Sequence, residues 1–191
     1  MTQASSAGSS QDVADILTVD HREMMELIDQ IKRTTDAGER RDLADALIAE
    51  VMRHAVAEEM YVYPAVEEHV PDGAQHVRDD KQEHAQVVLV MKQMEDVEAS
   101  DPVFMERVED LERLLRHHID DEESEQFPEL RAHIPREKLV EMGEKVEAAK
   151  KLAPTRPHPS APHSELFHKT IGVGVGMVDR LLDKLTGRNT G

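Results

Sequence analysis

No cysteine occurs anywhere in the 191 residues. That excludes disulfides, thiolate nucleophiles, cysteine-ligated zinc and cysteine-bound iron–sulfur clusters, so any metal here must be held by nitrogen and oxygen. Tryptophan is missing too, and aromatic residues make up only 3% of the chain. Strand-forming clusters are scarce while Ala, Leu, Glu, Lys, Arg and Met abound, a balance that favours an all-α protein. Positive charge is in deficit, with 23 basic against 40 acidic residues and a net charge of -17. Such a surface argues against nucleic acid or an anionic membrane as a main partner, and most of it reads as a solvated outer face. No uninterrupted apolar run approaches the length of a membrane span. The opening "MTQASSAGSSQD" has neither a basic n-region nor an apolar h-region, so the expected location is cytoplasmic.

What is present is helical periodicity. Residues 1–11, rich in Ser, Gly and Ala, read as a disordered N-terminus. Four patterns with apolar positions at steps of three and four follow. The first carries Val13, Leu17, His21, Met24, Ile28 and Ile31 and is expected to stop where Gly38 breaks it. The second carries Leu47, Val51, His54, Glu58, Tyr61 and Ala65 and ends before the turn signal "VPDG" at 70–73. The third carries Val77, Lys81, His84, Val88 and Met91. Asp101 and Pro102, an N-cap and N1 pair, open the fourth, with Phe104, Val108, Leu111, Leu115, His118, Glu122 and Glu125. A further amphipathic helix follows Pro135, giving a bundle over residues 12–152. Residues 153–191 read as a Pro-rich linker and a short amphipathic C-terminal helix, a possible docking element for a protein partner.

Each of the four stripes puts a histidine on the face that aliphatic residues bury, and two add a glutamate one turn later. Burying a bare carboxylate costs more than packing returns unless it is paired or binds a metal. The halves also repeat: His118, Glu122, Pro128, His133 and Pro135 each lie 64 residues after His54, Glu58, Pro64, His69 and Pro71, and His84 lies 63 after His21. A duplicated αα-hairpin gives an up-down four-helix bundle with approximate two-fold symmetry. Pooled, His21, His54, Glu58, His84, His118 and Glu122 form a nitrogen and oxygen set suited to a pair of divalent or trivalent metals. By the symmetry His21 pairs with His54 and His84 with His118, while Glu58 and Glu122 bridge.

The pattern H…HxxxE…H…HxxxE, with flanks "HAVAEEMYVYP" and "HHIDDEESEQFP", resembles the hemerythrin-like (HHE cation-binding) family over roughly residues 12 to 135. The resemblance implies a non-haem di-iron centre: two iron ions, oxo- or hydroxo-bridged and carboxylate-bridged, with the six residues as metal ligands. Family activities range over reversible O2 binding, oxygen or iron sensing, NO-related chemistry and, in actinobacterial-type members, peroxide decomposition. The oxygen carriers have a second histidine one turn from the third-helix ligand, where this chain has Asp80 and Val88, and they end in His-x-x-x-x-Asp rather than His118…Glu122. These departures resemble the members that handle H2O2, so a catalase-like reaction at the irons is the leading expectation and an O2 or NO binding and sensing module the alternative. Iron oxidation or storage ranks lower, because ferritin-like bundles use Glu-x-x-His pairs. Zinc or manganese would suit the same donors.

Tyr61, seven residues after His54, is a candidate catalytic residue or additional metal ligand; the other reading is a core tyrosine bonded to a nearby carboxylate. Its counterpart Glu125 is a ligand, an outer group or an exposed one. Glu59, Glu123 and His117 lie about 100° around the helix from the ligand face and read as solvated or hairpin-packing groups. His69 and His133 read as structural, the methionines of the first and third helices as soft packing, and His158, His163 and His168 as linker composition. "GVGVG" lacks the ending and the preceding strand of a phosphate loop and reads as a hinge.

Overall fold

The structure is a computed structural model that describes residues 11–152. The expected disordered N-terminus, apart from Gln11, the Pro-rich linker and the C-terminal amphipathic helix lie outside the described residues. Those described are helical throughout, with no strand. Helix α1 (Val13–Arg33) pairs with a long rod made of α2 (Ala37–Ala57), a π-helical turn (Glu58–Val62) and α3 (Tyr63–His69). Helix α4 (Gly73–Glu95) pairs with a second rod of α5 (Pro102–Asp121), a π-helical turn (Glu122–Gln126) and α6 (Phe127–His133). Helix α7 (Arg136–Leu152) lies across α1, α2 and the first π-turn. The result is the up-down four-helix bundle of two repeated hairpins with a fifth helix added.

Local chemistry sets the ends. Asp12 caps α1 in a reciprocal box with Asp15, each side chain accepting from the other's backbone N–H (2.9 and 3.1 Å). Asp36 caps α2, and Asp101 with Pro102 opens α5 as expected. Gly38 is not the break between the first two helices. It sits inside the first turn of α2, and the chain turns at 34–36 instead, because the Asp36 cap satisfies the free N–H of Glu39 there. Gly73 is required by space: a Cβ there would lie 2.1 Å from the carbonyl oxygen of Val66.

The two π-turns are the main departure from the periodic reading. Pro64 and Pro128 lack an N–H, and in a regular α-helix their rings would strike the carbonyl four residues back. The backbone widens to avoid this: the N–H of Tyr63 reaches back five residues to Glu58 O, and that of Phe127 to Glu122 O. Inward positions beyond each glutamate therefore slip. Tyr61 is only half-buried and Glu125 is exposed, while Tyr63, Phe127 and Gln126 point in.

Two apolar clusters fill the bundle. One, around Met24, Ile28, Met91, Phe104 and Leu111, lies toward the 34–36 and 96–101 turns. The other, around Leu17, Val66, Val77, Phe127, Leu130 and Leu139, lies toward the opposite end. The polar layer between them holds the site.

Candidate metal centre

His21 comes from α1, His54 from the end of α2, Glu58 from the first π-turn, His84 from α4, His118 from the end of α5 and Glu122 from the second π-turn. All six are buried, none more than 4% exposed. The four imidazoles aim Nε2 at a common centre: His21 and His54 meet at 3.3 Å, His84 and His118 at 3.0 Å. Glu58 spans the two pairs, with Oε1 3.2 Å from His54 Nε2 and Oε2 3.4 Å from His84 Nε2. Glu122 Oε2 lies 3.1 Å from His21 Nε2 and 3.6 Å from His118 Nε2.

Each ring is held from behind at Nδ1. His118 contacts Glu83 at 3.0 Å, His21 contacts Glu123 at 2.8 Å, His54 contacts Asp20 at 3.5 Å, and His84 contacts the Tyr63 hydroxyl at 3.0 Å. An imidazole that offers its Nε2 lone pair inward keeps its proton on Nδ1, so these oxygens are the acceptors that fix tautomer and orientation. Glu123, read from periodicity as a solvated or packing group, thus stands behind His21. His117, as expected, stays on the outside.

The phenol bonded to a site histidine belongs to Tyr63, while Tyr61 is half-buried against the second apolar cluster and Glu125 is exposed. Because π-turns add about one residue per turn, the seven-residue step from His54 to Tyr61 no longer returns to the same face. The repeated prolines were the available signal. The repeat also breaks its own symmetry here, since Phe127, the counterpart of Tyr63, stacks on His21 with ring centroids 5.8 Å apart. Asp80 and Gln126 are a second pair that the apolar pattern did not single out. Both are buried beside the His84 half, with Gln126 Nε2 donating to Asp80 Oδ1 at 2.6 Å. Their counterparts in the repeat are Leu17 and Val62.

Electrostatics report crowded charge. Burial, then the neighbouring Glu122, pushes Glu58 up to about 7. Burial and Glu122 likewise push Asp80 up to about 7. Burial would also raise Glu122, but His118 and His21 outweigh it and hold it well below the usual carboxylate range. Burial favours a neutral His118, yet Glu122 and Glu83 hold it at about 9. Burial and the adjacent His118 drive His84 far down.

The fit to a cation rests on unmet hydrogen bonding. Among the described residues, the buried side-chain oxygens without a hydrogen-bond partner are both of Glu58, Oε2 of Glu122 and Oδ2 of Asp80. Glu58 and Glu122 come within ion-pair distance of the rings but are not aligned as hydrogen bonds. Unpartnered buried carboxylate oxygens are costly unless something positive sits among them. Donor atoms of His54, Glu58, His118 and Glu122 lie within 4.8 Å of one another, close enough to share a cation.

The sequence profile described as the hemerythrin HHE cation binding domain matches residues 12–130. The chain belongs to that family. An uncharacterized hemerythrin-like protein of Schizosaccharomyces pombe is 29% identical over 174 residues, covering 91% of this chain and 86% of that protein. A DNA nickase of Nostoc sp. is 24% identical over 139 residues, which is 72% of this chain and 39% of the nickase. A crystal structure of a hemerythrin HHE cation binding domain-containing protein from Mycobacterium kansasii aligns with a TM-score of 0.65 at 20% identity. It covers 92% of this chain and 99% of that one, and at that identity the likeness concerns the fold. The HHE chain is therefore a metal-binding helical protein, and no helix among the described residues is long and apolar enough to cross a membrane.

Proposed function

We propose that the chain is a non-haem di-iron protein whose metals are held by His21, His54, Glu58, His84, His118 and Glu122, and that it disproportionates hydrogen peroxide. The observation that carries the reading is the placement of both glutamates between two imidazole pairs, so that each carboxylate faces both halves. Two imidazoles per metal plus shared carboxylates leave coordination positions free for a small molecule. When bound, the irons would supply the redox chemistry that takes peroxide to water and O2, 2 H2O2 → 2 H2O + O2, one peroxide oxidising the other.

The protein's own residues then have defined tasks. Glu83, Glu123, Asp20 and the Tyr63 hydroxyl accept from the Nδ1–H groups and keep four lone pairs aimed inward. The apolar clusters above and below keep bulk water from the buried donors, an environment that suits H2O2, O2 and NO alike. Disproportionation needs no outside reductant, consistent with a chain that carries no thiol to serve as one.

The test is metal analysis and absorption of protein made in iron-replete cells, then O2 release on adding peroxide. About two irons per chain, an oxo-bridged charge-transfer band and O2 evolution are expected. His118→Ala and Glu58→Ala should lose iron and activity together, and activity surviving both would place the chemistry elsewhere. The same buried site suits the second reading, a module that binds or senses O2 or NO without turnover. Anaerobic reduction followed by O2 separates the two: a stable, reversible adduct with no peroxide turnover favours binding. A colourless zinc protein would end the redox reading.

A further inference from the structure

Helix α7 buries one face, made by Leu139, Gly143 and Val146, against the bundle. Gly143 is needed for the approach, since a Cβ there would lie 2.8 Å from Ile16 Cδ1 and 3.2 Å from Val13 N. Four residues after Val146, on that same face, stands Lys150. Its ammonium pairs with Asp20 Oδ1, with the lysine side chain 17% and the aspartate 1% exposed. The other oxygen of Asp20 lies 3.5 Å from His54 Nδ1.

Around that contact, carboxylate oxygens of Asp20, Glu23 and Glu50 come within 4.8 Å of one another. So close a set of like charges repels unless a cation is placed among them. Lys150 provides one and Arg53, paired with Glu50, another. The other half of the repeat is built differently. Glu83 takes the place of Asp20 behind His118, but Gln86, Leu114 and His117 replace Glu23, Glu50 and Arg53. Among the described residues, the three-carboxylate cluster with its lysine stands behind the His54 half, while behind His118 Glu83 groups with Asp80 instead.

We infer that Lys150 is a positioning residue for that half: it pins Asp20, Asp20 fixes the His54 ring, and docking of α7 makes the His21–His54 metal position distinct from the His84–His118 position. The inference rests on the di-metal reading above. Neutralising the lysine leaves Asp20 repelled by Glu23 and Glu50, which drives it into other rotamers, and His54 loses the acceptor that orients it. Outer-shell partners of this kind are worth about tenfold to a hundredfold in metal affinity.

The test uses the full chain loaded with cobalt(II), whose visible absorption reports its ligands, and follows transfer to a chelator. Wild-type protein should release two equivalents. Lys150→Met should release one of them about tenfold faster or more, with a changed absorption band, and leave the other unchanged. Lys150→Arg should restore the wild-type trace. Lys145→Met, which removes the same charge from the exposed side of α7, should have no effect. Equal release from wild type and K150M, or equal acceleration of both equivalents, would overturn the inference while leaving the metal centre standing. Should K150M fail to fold, Asp20→Asn decides: it should reproduce the one-equivalent effect, and an unchanged trace is fatal. Wild-type protein that takes up neither cobalt nor iron would defeat the metal reading and this inference together.

Discussion

Tyr63 illustrates how much one hydroxyl does at this site. Its ring belongs to the apolar cluster and lies tilted beside His84 with centroids 6.0 Å apart, and its oxygen is the polar contact to that imidazole. Tyr63→Phe should therefore keep the packing and cost about 1 kcal/mol of stability, while weakening metal binding about tenfold or more. Isothermal metal titration beside a melting curve reads both. Asp45 is a different case, a carboxylate in the core wall with no such task. Burial pushes it up to about 6, with Arg41 3.9 Å away opposing and Asp42 and Glu95 adding to the rise. A raised carboxylate binds protons more tightly folded than unfolded, so it destabilises the fold above pH 6 and ceases to do so below about pH 4. Asp45→Asn should thus stabilise the protein by about 1–3 kcal/mol at pH 8, and the gain should vanish near pH 4 in denaturant titrations.

At the scale of the element, the π-turns and the turn before α4 carry the geometry. Each π-turn begins at the inward glutamate and ends where a proline follows, so the widened backbone places a carboxylate and an aromatic ring on the same side of the bundle. In a straight α-helix the second inward residue would be Tyr61 or Glu125, as the plain 3.6-residue period says. The turn joining the hairpins is fixed by Asp72, in the left-handed region at φ 54°, and by Gly73 packed on the Val66 carbonyl. Gly73→Ala forces a backbone shift. It should lower the denaturation midpoint by the equivalent of about 1–3 kcal/mol, with the buried histidines and glutamates left in place.

For the whole molecule, the polar layer divides one core into two and leaves stability dependent on what neutralises it. Removing metal from the loaded protein should lower the melting temperature. Each tenfold rise in free metal above the dissociation constant should add about 1.4 kcal/mol, measurable as a metal-dependent shift in the denaturation midpoint. Protons compete for the same nitrogens. With His118 held at about 9, the metal-free protein carries a proton there at pH 7 that a cation must displace. Metal affinity should accordingly rise with pH up to about 9, with proton release seen as a buffer-dependent binding enthalpy.

Sequence by itself determined the helical class, the hairpin repeat, and the six inward histidines and glutamates. Each depends on local periodicity and on the rule that buried charge needs a partner. Asp101 and Pro102 marked their helix start for the same local reason. Tertiary structure alone decided that the Tyr63 hydroxyl stands behind His84, that Glu123 stands behind His21, and that Asp80 and Gln126 are buried on one side only. It also decided that α7 brings Lys150 to Asp20, a pair 130 residues apart in the chain. A fixed 3.6-residue period cannot anticipate a widened turn, and it says nothing of which outer groups meet across helices. Those outcomes follow from proline sterics and from the way the helices pack in three dimensions.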